Sequence, residues 1–253
     1  MKSILVTGGT GTLGTLVVAR LREAGHQVRV LSRHAPDHPV DLMEGTGLDT
    51  AVAGADCVVH CATSPRGGAD AKAAGHLIEA ARRAGVGHIV YISIVGVDVV
   101  PLPYYKTKLE VERMLEESGL GLTILRTTQF HDLVGQVADA LARLPVVPVP
   151  KGVRCQPIAA DEVAARLADL AAGAPAGRVE DMGGPETFTL AALTRTYLAA
   201  KGSTKRVVEI PLAGRTYAAF RRGGHLTPHR AVGKGTFRDF AAERGRVLGF
   251  GGR

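Results

Sequence analysis

Residues 4–14 read I-L-V-T-G-G-T-G-T-L-G, and the fold is decided there. The apolar residues Ile4, Leu5 and Val6 run into a glycine-rich turn. Leu13, Leu16, Val17 and Leu21 then recur at helical spacing as far as Gly25. Strand, tight turn and amphipathic helix follow in the order that a dinucleotide-binding fingerprint needs. Gly8, Gly11 and Gly14 stand three apart. The first suits the turn, the second lets backbone approach a pyrophosphate, and the third lets the helix pack close to the strand. The start of the helix then offers unpaired N–H groups and a partial positive charge to phosphate oxygens.

Outward from that turn, strands and helices alternate. Gln27–Leu31 reads as a second strand, Val40–Leu42 as a short third, and Leu48–Ala53 as a helix. Asp56–Cys61 is a near-continuous apolar run, as expected of a strand buried on both faces. It ends at Ala62-Thr63-Ser64-Pro65, where the chain turns over the ligand edge. His60 lies inside that strand and reads as a core histidine. Ala69–Ala84 is helical, His88–Ile92 is a strand ending at Ser93, Pro103–Leu115 is a helix, and Leu122–Leu125 is a strand ending at Arg126. Such alternation implies right-handed crossovers and an α/β fold, a doubly wound parallel sheet of the Rossmann type. Ligands on such a sheet bind beyond the carboxyl ends of the strands. The glycine turn, Arg33, Ala62-Thr63, Ser93 and Thr127–His131 all follow those ends.

Beyond Arg126 the pattern weakens. Helices are expected over Phe130–Leu144, Ala160–Ala172, from a Thr189 cap to about Lys201, and over Leu212–Arg222 and Thr236–Arg244. Pro145–Pro150 and Val207–Ile210 read as extended. These pieces are too short for an independent domain. The chain therefore reads as one dinucleotide-binding domain over residues 1–253, with residues from about 130 forming a small C-terminal lobe that covers the substrate.

With 45% hydrophobic residues the chain has ample material for a core, and no apolar run reaches membrane-spanning length. Met1-Lys2-Ser3 leads straight into the first strand, which leaves no room for a targeting peptide and points to the cytoplasm. Cys57, Cys61 and Cys155 are too few and too irregular for a disulfide frame or a metal centre. The net charge of +7 is concentrated: residues 201–253 hold twelve Lys or Arg against three Asp or Glu. That basic end lacks interleaved aromatics and an uninterrupted basic run, which argues against nucleic acid and for a solvated basic face. The expected partner is a small-molecule substrate, with the chain a monomer or homodimer.

Two further stretches carry chemistry. Ser32-Arg33-His34 follows the second strand, where an NAD-dependent protein usually has an acidic residue for the ribose 2′-hydroxyl. A hydroxyl and a guanidinium instead suit a 2′-phosphate, and so NADP(H). In P-Y-Y-K-T-K-L-E-V-E-R-M-L, residues 103–115, Tyr104 and Lys108 fall one helical turn apart. Carbonyl reduction with a nicotinamide cofactor needs a proton at oxygen. A tyrosine supplies it, and a nearby ammonium favours its phenolate. Ser93 can hold the substrate oxygen. Tyr105 competes with Tyr104, though the four-residue spacing to Lys108 favours Tyr104. His131 stands as an alternative proton donor.

T-G-G-T-G-T-L-G, S-R after the second strand, Ser93, Tyr104-x-x-x-Lys108, L-R-T-T-Q-F and G-G-P-E-T-F-T-L together resemble an atypical short-chain dehydrogenase/reductase of the NmrA-like, NAD(P)H-binding group. The resemblance implies that Gly8, Thr10, Gly11, Thr12, Leu13 and Gly14 bind the pyrophosphate, with Ser32 and Arg33 on the 2′-phosphate. It implies Asp41 and Leu42 by the adenine and Ala62 and Thr63 by the nicotinamide. It also implies Lys108 on the nicotinamide ribose and Gln129, Phe130 and His131 at the substrate. The interval from Ser93 to Tyr104 is tighter than the wider family's. Such a group includes reductases and non-catalytic redox sensors. The Tyr104/Lys108 pair favours the reductase, acting on a small carbonyl or quinone-like compound.

Overall fold

Every residue of the strand Cys57–His60 is buried, as are the first six of His88–Ile94, so these strands are covered on both faces. The computed structural model describes residues 1–33, 35, 38–63 and 69–249. In chain order its first elements are β1 (Ser3–Thr7), α1 (Thr12–Glu23), β2 (Gln27–Ser32), β3 (His38–Pro39), α2 (Leu48–Val52), β4 (Cys57–His60), α3 (Ala69–Arg83), β5 (His88–Ile94), α4 (Pro103–Glu116) and β6 (Leu122–Thr127). Then follow α5 (His131–Leu141), β7 (Val147–Pro150), β8 (Arg154–Cys155), α6 (Ala160–Ala172), β9 (Gly177–Arg178), β10 (Phe188–Thr189), α7 (Leu190–Ala200), β11 (Val207–Ile210), α8 (Arg215–Arg221) and α9 (Phe237–Gly249). The chain divides into two compact units. One is Met1–Asp98, Leu102–Arg126 and Val163–Glu180; the other is Val99–Pro101, Thr127–Glu162 and Asp181–Arg253.

The first unit holds a seven-stranded sheet in the order β3-β2-β1-β4-β5-β6-β9. Strand β1 pairs in parallel with both β2 and β4, so Ile4 lies opposite Val28 on one side and Cys57 on the other. The strand order reverses at β1, and the crevice for a ligand opens there, between β1 and β4. Leu5, Val58, Ile89, Tyr91 and Ile124 from the sheet meet Leu77, Ile78, Val111 and Leu115 from helices in one core. Lys2, just before β1, donates from Nζ to the carbonyls of Ala171 (3.1 Å) and Gly173 (2.7 Å), at the end of α6.

The third strand is displaced from its expected place. It occupies His38–Pro39, and the expected Val40–Leu42 segment instead enters a turn. Asp41 is the cause: its Oδ1 accepts from the Met43 N–H at 2.9 Å, and its carbonyl accepts from Gly45. A side chain that bonds backbone two residues ahead makes a turn in place of a ladder.

Two buried histidines make the sheet sensitive to acid. His60 Nδ1 and Thr7 Oγ1 are 2.7 Å apart, and His88 Nε2 and Thr123 Oγ1 are 2.8 Å apart. Burial lowers His60 to about 3 and His88 to about 4, aided by Lys108 and Lys2 respectively. Both folded values lie below that of the unfolded chain, so the unfolded state takes up protons that the folded state refuses. Stability is therefore full above the unfolded value near 6.5 and falls as pH drops below it. Between about pH 7 and 5.5 each histidine should cost roughly 1 kcal/mol. Urea unfolding at the two pH values checks this, and an unchanged midpoint would refute it.

In the second unit β7 and β11 pair in parallel, and β8 pairs with β10. Val134, Ala138, Leu193, Tyr197, Phe237 and Ala241 form a core among α5, α7 and α9. Thr189 caps α7 by accepting from the Ala192 N–H at 3.1 Å. No helix among the described residues is long and apolar enough to cross a membrane.

Candidate functional site

The glycine turn joins β1 to α1 at the switch point. Gly8 has φ +67°, a left-handed conformation that favours glycine. A Cβ on Gly8 would lie 2.8 Å from the Ala62 Cα, because the chains leaving β1 and β4 nearly touch. A Cβ on Gly14 would lie 2.1 Å from the Gly8 carbonyl oxygen. The helix thus starts directly against the turn, and only glycine permits it. Gly11 caps α1 with no side-chain hydrogen bond, and the first turn carries no acidic residue. Helix geometry leaves the N–H groups of Thr12, Leu13 and Gly14 without carbonyl partners inside the helix. Thr10, Gly11 and Thr12 are exposed, while Leu13 packs inward. A side-chain-free cradle with donors and no competing carboxylate fits a pyrophosphate.

Beside this cradle, four side chains join. Lys108 is on the buried face of α4, only 3% exposed. Its Nζ lies 4.0 Å from Asp70 Oδ2 and 4.9 Å from the centre of the Tyr91 ring. The same Asp70 oxygen accepts from Thr63 Oγ1 at 2.6 Å. Thr63 Oγ1 in turn is 2.9 Å from the Tyr104 hydroxyl. Threonine has one hydroxyl hydrogen and a carboxylate has none to give. Thr63 spends its hydrogen on Asp70, so Tyr104 donates to Thr63.

Electrostatics follow from this order. Burial lowers the Lys108 pKa, against the opposing pull of Asp70, Cys61 and Glu112. Burial likewise raises Tyr104, reinforced by Asp70. The lysine was expected to favour the phenolate. Instead its ammonium faces Asp70 and the Tyr91 ring, 6.0 Å from the centre of the Tyr104 ring. Tyr104 is accordingly a phenol at neutral pH. Tyr105 is buried beneath it, 6% exposed.

Ser93 lies on the same face of β5 as Tyr91, two residues away. It is 1% exposed, and neither its Oγ nor the Tyr91 hydroxyl has a hydrogen-bond partner among the described residues. Asp70 and Tyr91 were not singled out in the sequence. The only hint was an acidic residue in the first turn of a helix. Ser32 ends β2 and Arg33 follows it, exposed. Leu42 packs into the first unit's core, next to the Asp41 turn. His34, Ser64 and Pro65 lie outside the described residues.

Gln129, Phe130 and His131 belong to the second unit. Gln129 donates to the His225 carbonyl at 3.2 Å, and Phe130 precedes α5 as its N-terminal cap residue. His131 is 3% exposed, packed edge-on against Phe237, with Nε2 3.2 Å from the Pro157 carbonyl. Burial lowers its pKa.

A glycine cradle at the switch point of a sheet ordered in this way defines a dinucleotide-binding α/β protein. The NAD(P)H-binding family profile matches residues 8–172, and the chain belongs to that family. Its cofactor is a nicotinamide dinucleotide. The chain is 30% identical over 203 residues to the (4-alkanoyl-5-oxo-2,5-dihydrofuran-3-yl)methyl phosphate reductase of Streptomyces griseus, covering 74% of this chain and 69% of that one. It is 28% identical over 220 residues to the chloroplastic divinyl chlorophyllide a 8-vinyl-reductase of Zea mays, covering 72% of this chain. It spans about half of that relative's length, 55%. In fold it matches an NADPH-dependent quinone oxidoreductase of Escherichia coli complexed with NADPH. The TM-score is 0.80 at 20% identity, over 95% of this chain and 99% of that one.

Proposed function

We propose that the protein is an NADPH-dependent reductase that delivers hydride to a small carbonyl or quinone-like compound. The observation that carries this reading is the buried Lys108, joined through Asp70 and Thr63 to the Tyr104 phenol beside the glycine cradle. Two relatives whose names describe reductases support it. When bound, the nicotinamide supplies hydride to the substrate.

In this reading, Gly8, Thr10, Gly11, Thr12, Leu13 and Gly14 hold the pyrophosphate, and Ala62 and Thr63 border the nicotinamide end. Lys108 holds the nicotinamide ribose, and Asp41 and Leu42 flank the adenine. Ser93 holds the substrate oxygen, which gives its unpartnered hydroxyl an acceptor or donor. Tyr104, kept protonated by burial, places its hydrogen on that oxygen.

Incubation with NADPH and a panel of quinones, aldehydes and conjugated alkenes tests the reaction by loss of nicotinamide absorbance. Tight NADPH binding without turnover of any acceptor would favour a dinucleotide sensor. Ser32 and Arg33 would clamp the 2′-phosphate. Arg33→Ala should therefore weaken NADPH binding about tenfold or more while sparing NADH, since a charge-assisted hydrogen bond contributes about 1.5–3 kcal/mol. Fluorescence titration with both cofactors checks it. Equal losses for the two would remove Arg33 from that role.

A further inference from the structure

We infer that the cavity between α8 and the Val99–Pro101 segment binds a small organic anion, a phosphate or carboxylate carried on a short apolar body. The inference goes beyond the reductase reading and does not depend on it. The cavity holds about 270 Å³ and is lined by Val99, Pro101, Arg215, Ala218, Ala219 and Arg222, all from the second unit. Residues 215, 218, 219 and 222 fall on one face of the helix, at i, i+3, i+4 and i+7. Arg222 caps α8 in an αR conformation and so continues that face. Two contacts fix the walls. Thr216 Oγ1 donates to the Pro101 carbonyl at 3.1 Å. A Cβ on Gly224 would stand 2.8 Å from Val99 Cγ1, so the turn after α8 closes tightly on Val99.

Both the charged and the apolar parts of this lining lack a counterpart. Arg215 and Arg222 are exposed, and neither makes a hydrogen bond or ion pair among the described residues. No carboxylate lines the cavity. Asp98, next to Val99 in the chain, is already bonded to Arg126 at 2.8 Å. Val99 itself is 59% exposed. A guanidinium is a fork of donors that matches the oxygens of a phosphate or carboxylate. Seven helical residues rise about 10 Å, a span that two arginine side chains can close around one group. Unpaired charge and uncovered apolar surface in one hollow specify an anion with an apolar body.

Binding can be read without turnover, from the side-chain N–H signals of isotope-labelled arginine, with Arg215→Lys and Arg222→Lys assigning the two peaks. NADPH is kept saturating so that the glycine cradle is filled. n-Butyl phosphate should shift both signals and bind about tenfold tighter than inorganic phosphate, because its chain covers Val99. n-Butanol should shift neither. Arg215→Ala and Arg222→Ala should each weaken n-butyl phosphate about tenfold or more. Val99→Ser should erase its advantage over inorganic phosphate. Arg221 stacks on Tyr217, 5.6 Å from the ring centre, and lies outside the lining. Arg221→Ala should therefore change the affinity by less than about twofold. Hexanoate beside n-butyl phosphate separates the two headgroups: the tighter of them names the anion, and no shift with either refutes the site. Equal losses from Arg215→Ala, Arg222→Ala and Arg221→Ala would make this a diffuse basic surface and overturn the inference. So would binding that survives removal of both lining arginines.

Discussion

Replacing Tyr104 with phenylalanine should lower turnover by about 10²–10⁴-fold, the contribution of a positioned general acid. NADPH affinity should remain within about twofold of wild type, because the glycine cradle that fits the pyrophosphate is built of backbone on β1 and α1. The substitution removes one oxygen and leaves the ring beside Tyr105 in place. Thr63 keeps its hydrogen bond to Asp70. A loss in kcat with KM nearly unchanged is the signature of a group whose contribution is made in the transition state. Retention of wild-type kcat would transfer the proton to another donor, and the buried His131 would then be the next to replace. A fall in NADPH affinity equal to the fall in kcat would instead make Tyr104 a cofactor contact.

The second large effect is on stability, at the arginine of the L-R-T-T-Q-F stretch. Arg126 donates from Nε to Glu112 Oε1 at 2.8 Å and from Nη2 to Glu112 Oε2 at 2.5 Å. Its Nη1 reaches Asp98 Oδ2 at 2.8 Å. Arg126 and Glu112 are 5% and 2% exposed, while Asp98 is 46% exposed. Glu112→Ala leaves a buried guanidinium with only its half-exposed partner, and should cost about 3–5 kcal/mol in denaturant unfolding. Asp98→Asn, on the wet side of the pair, should cost less than about 1 kcal/mol. Replacing Glu112 and Arg126 together by methionine should recover much of the loss, because no buried charge is then left alone. A loss below about 1 kcal/mol for Glu112→Ala would mean that the ion pair does little to hold α4 on the sheet. The two predictions concern one helix. Lys108 and Glu112 lie one turn apart on its buried face, the first facing Asp70 and the second Arg126.

The parallel sheet was legible because its evidence is redundant. Val58, Val59, Ile89 and Val90 are apolar on both faces, and the glycines at 8, 11 and 14 allow one local geometry. The strands that escaped notice are two residues long: β8, β9 and β10 show no periodicity at that length. The third strand was misplaced because the apolar residues Val40 and Leu42 were read without the turn that Asp41 makes. At the site, the Tyr104–Lys108 spacing was visible, but not what each would face. The two residues that Lys108 faces, Asp70 and Tyr91, come from other segments. One looked like an ordinary acidic residue in a first helical turn, and the other like an apolar strand position. Spacing within one helix cannot report a partner delivered by another.

The bonds from Lys2 to the carbonyls of Ala171 and Gly173 have a consequence for synthesis on the ribosome. The first strand emerges early, yet the partners of the residue preceding it lie 169 positions or more further along. So does β9, which covers the free edge of β6. At translation speeds of about 5–20 residues per second, roughly ten to thirty seconds separate the two events. From the emergence of β6 to that of β9, about fifty residues or roughly three to ten seconds, the nascent sheet carries the uncovered edge of β6, the kind of surface that pairs with other chains. The first unit therefore cannot close while it is being made. It closes only after residues 127–162 of its neighbour have been made, and a ribosome that stalls in that stretch leaves the edge open.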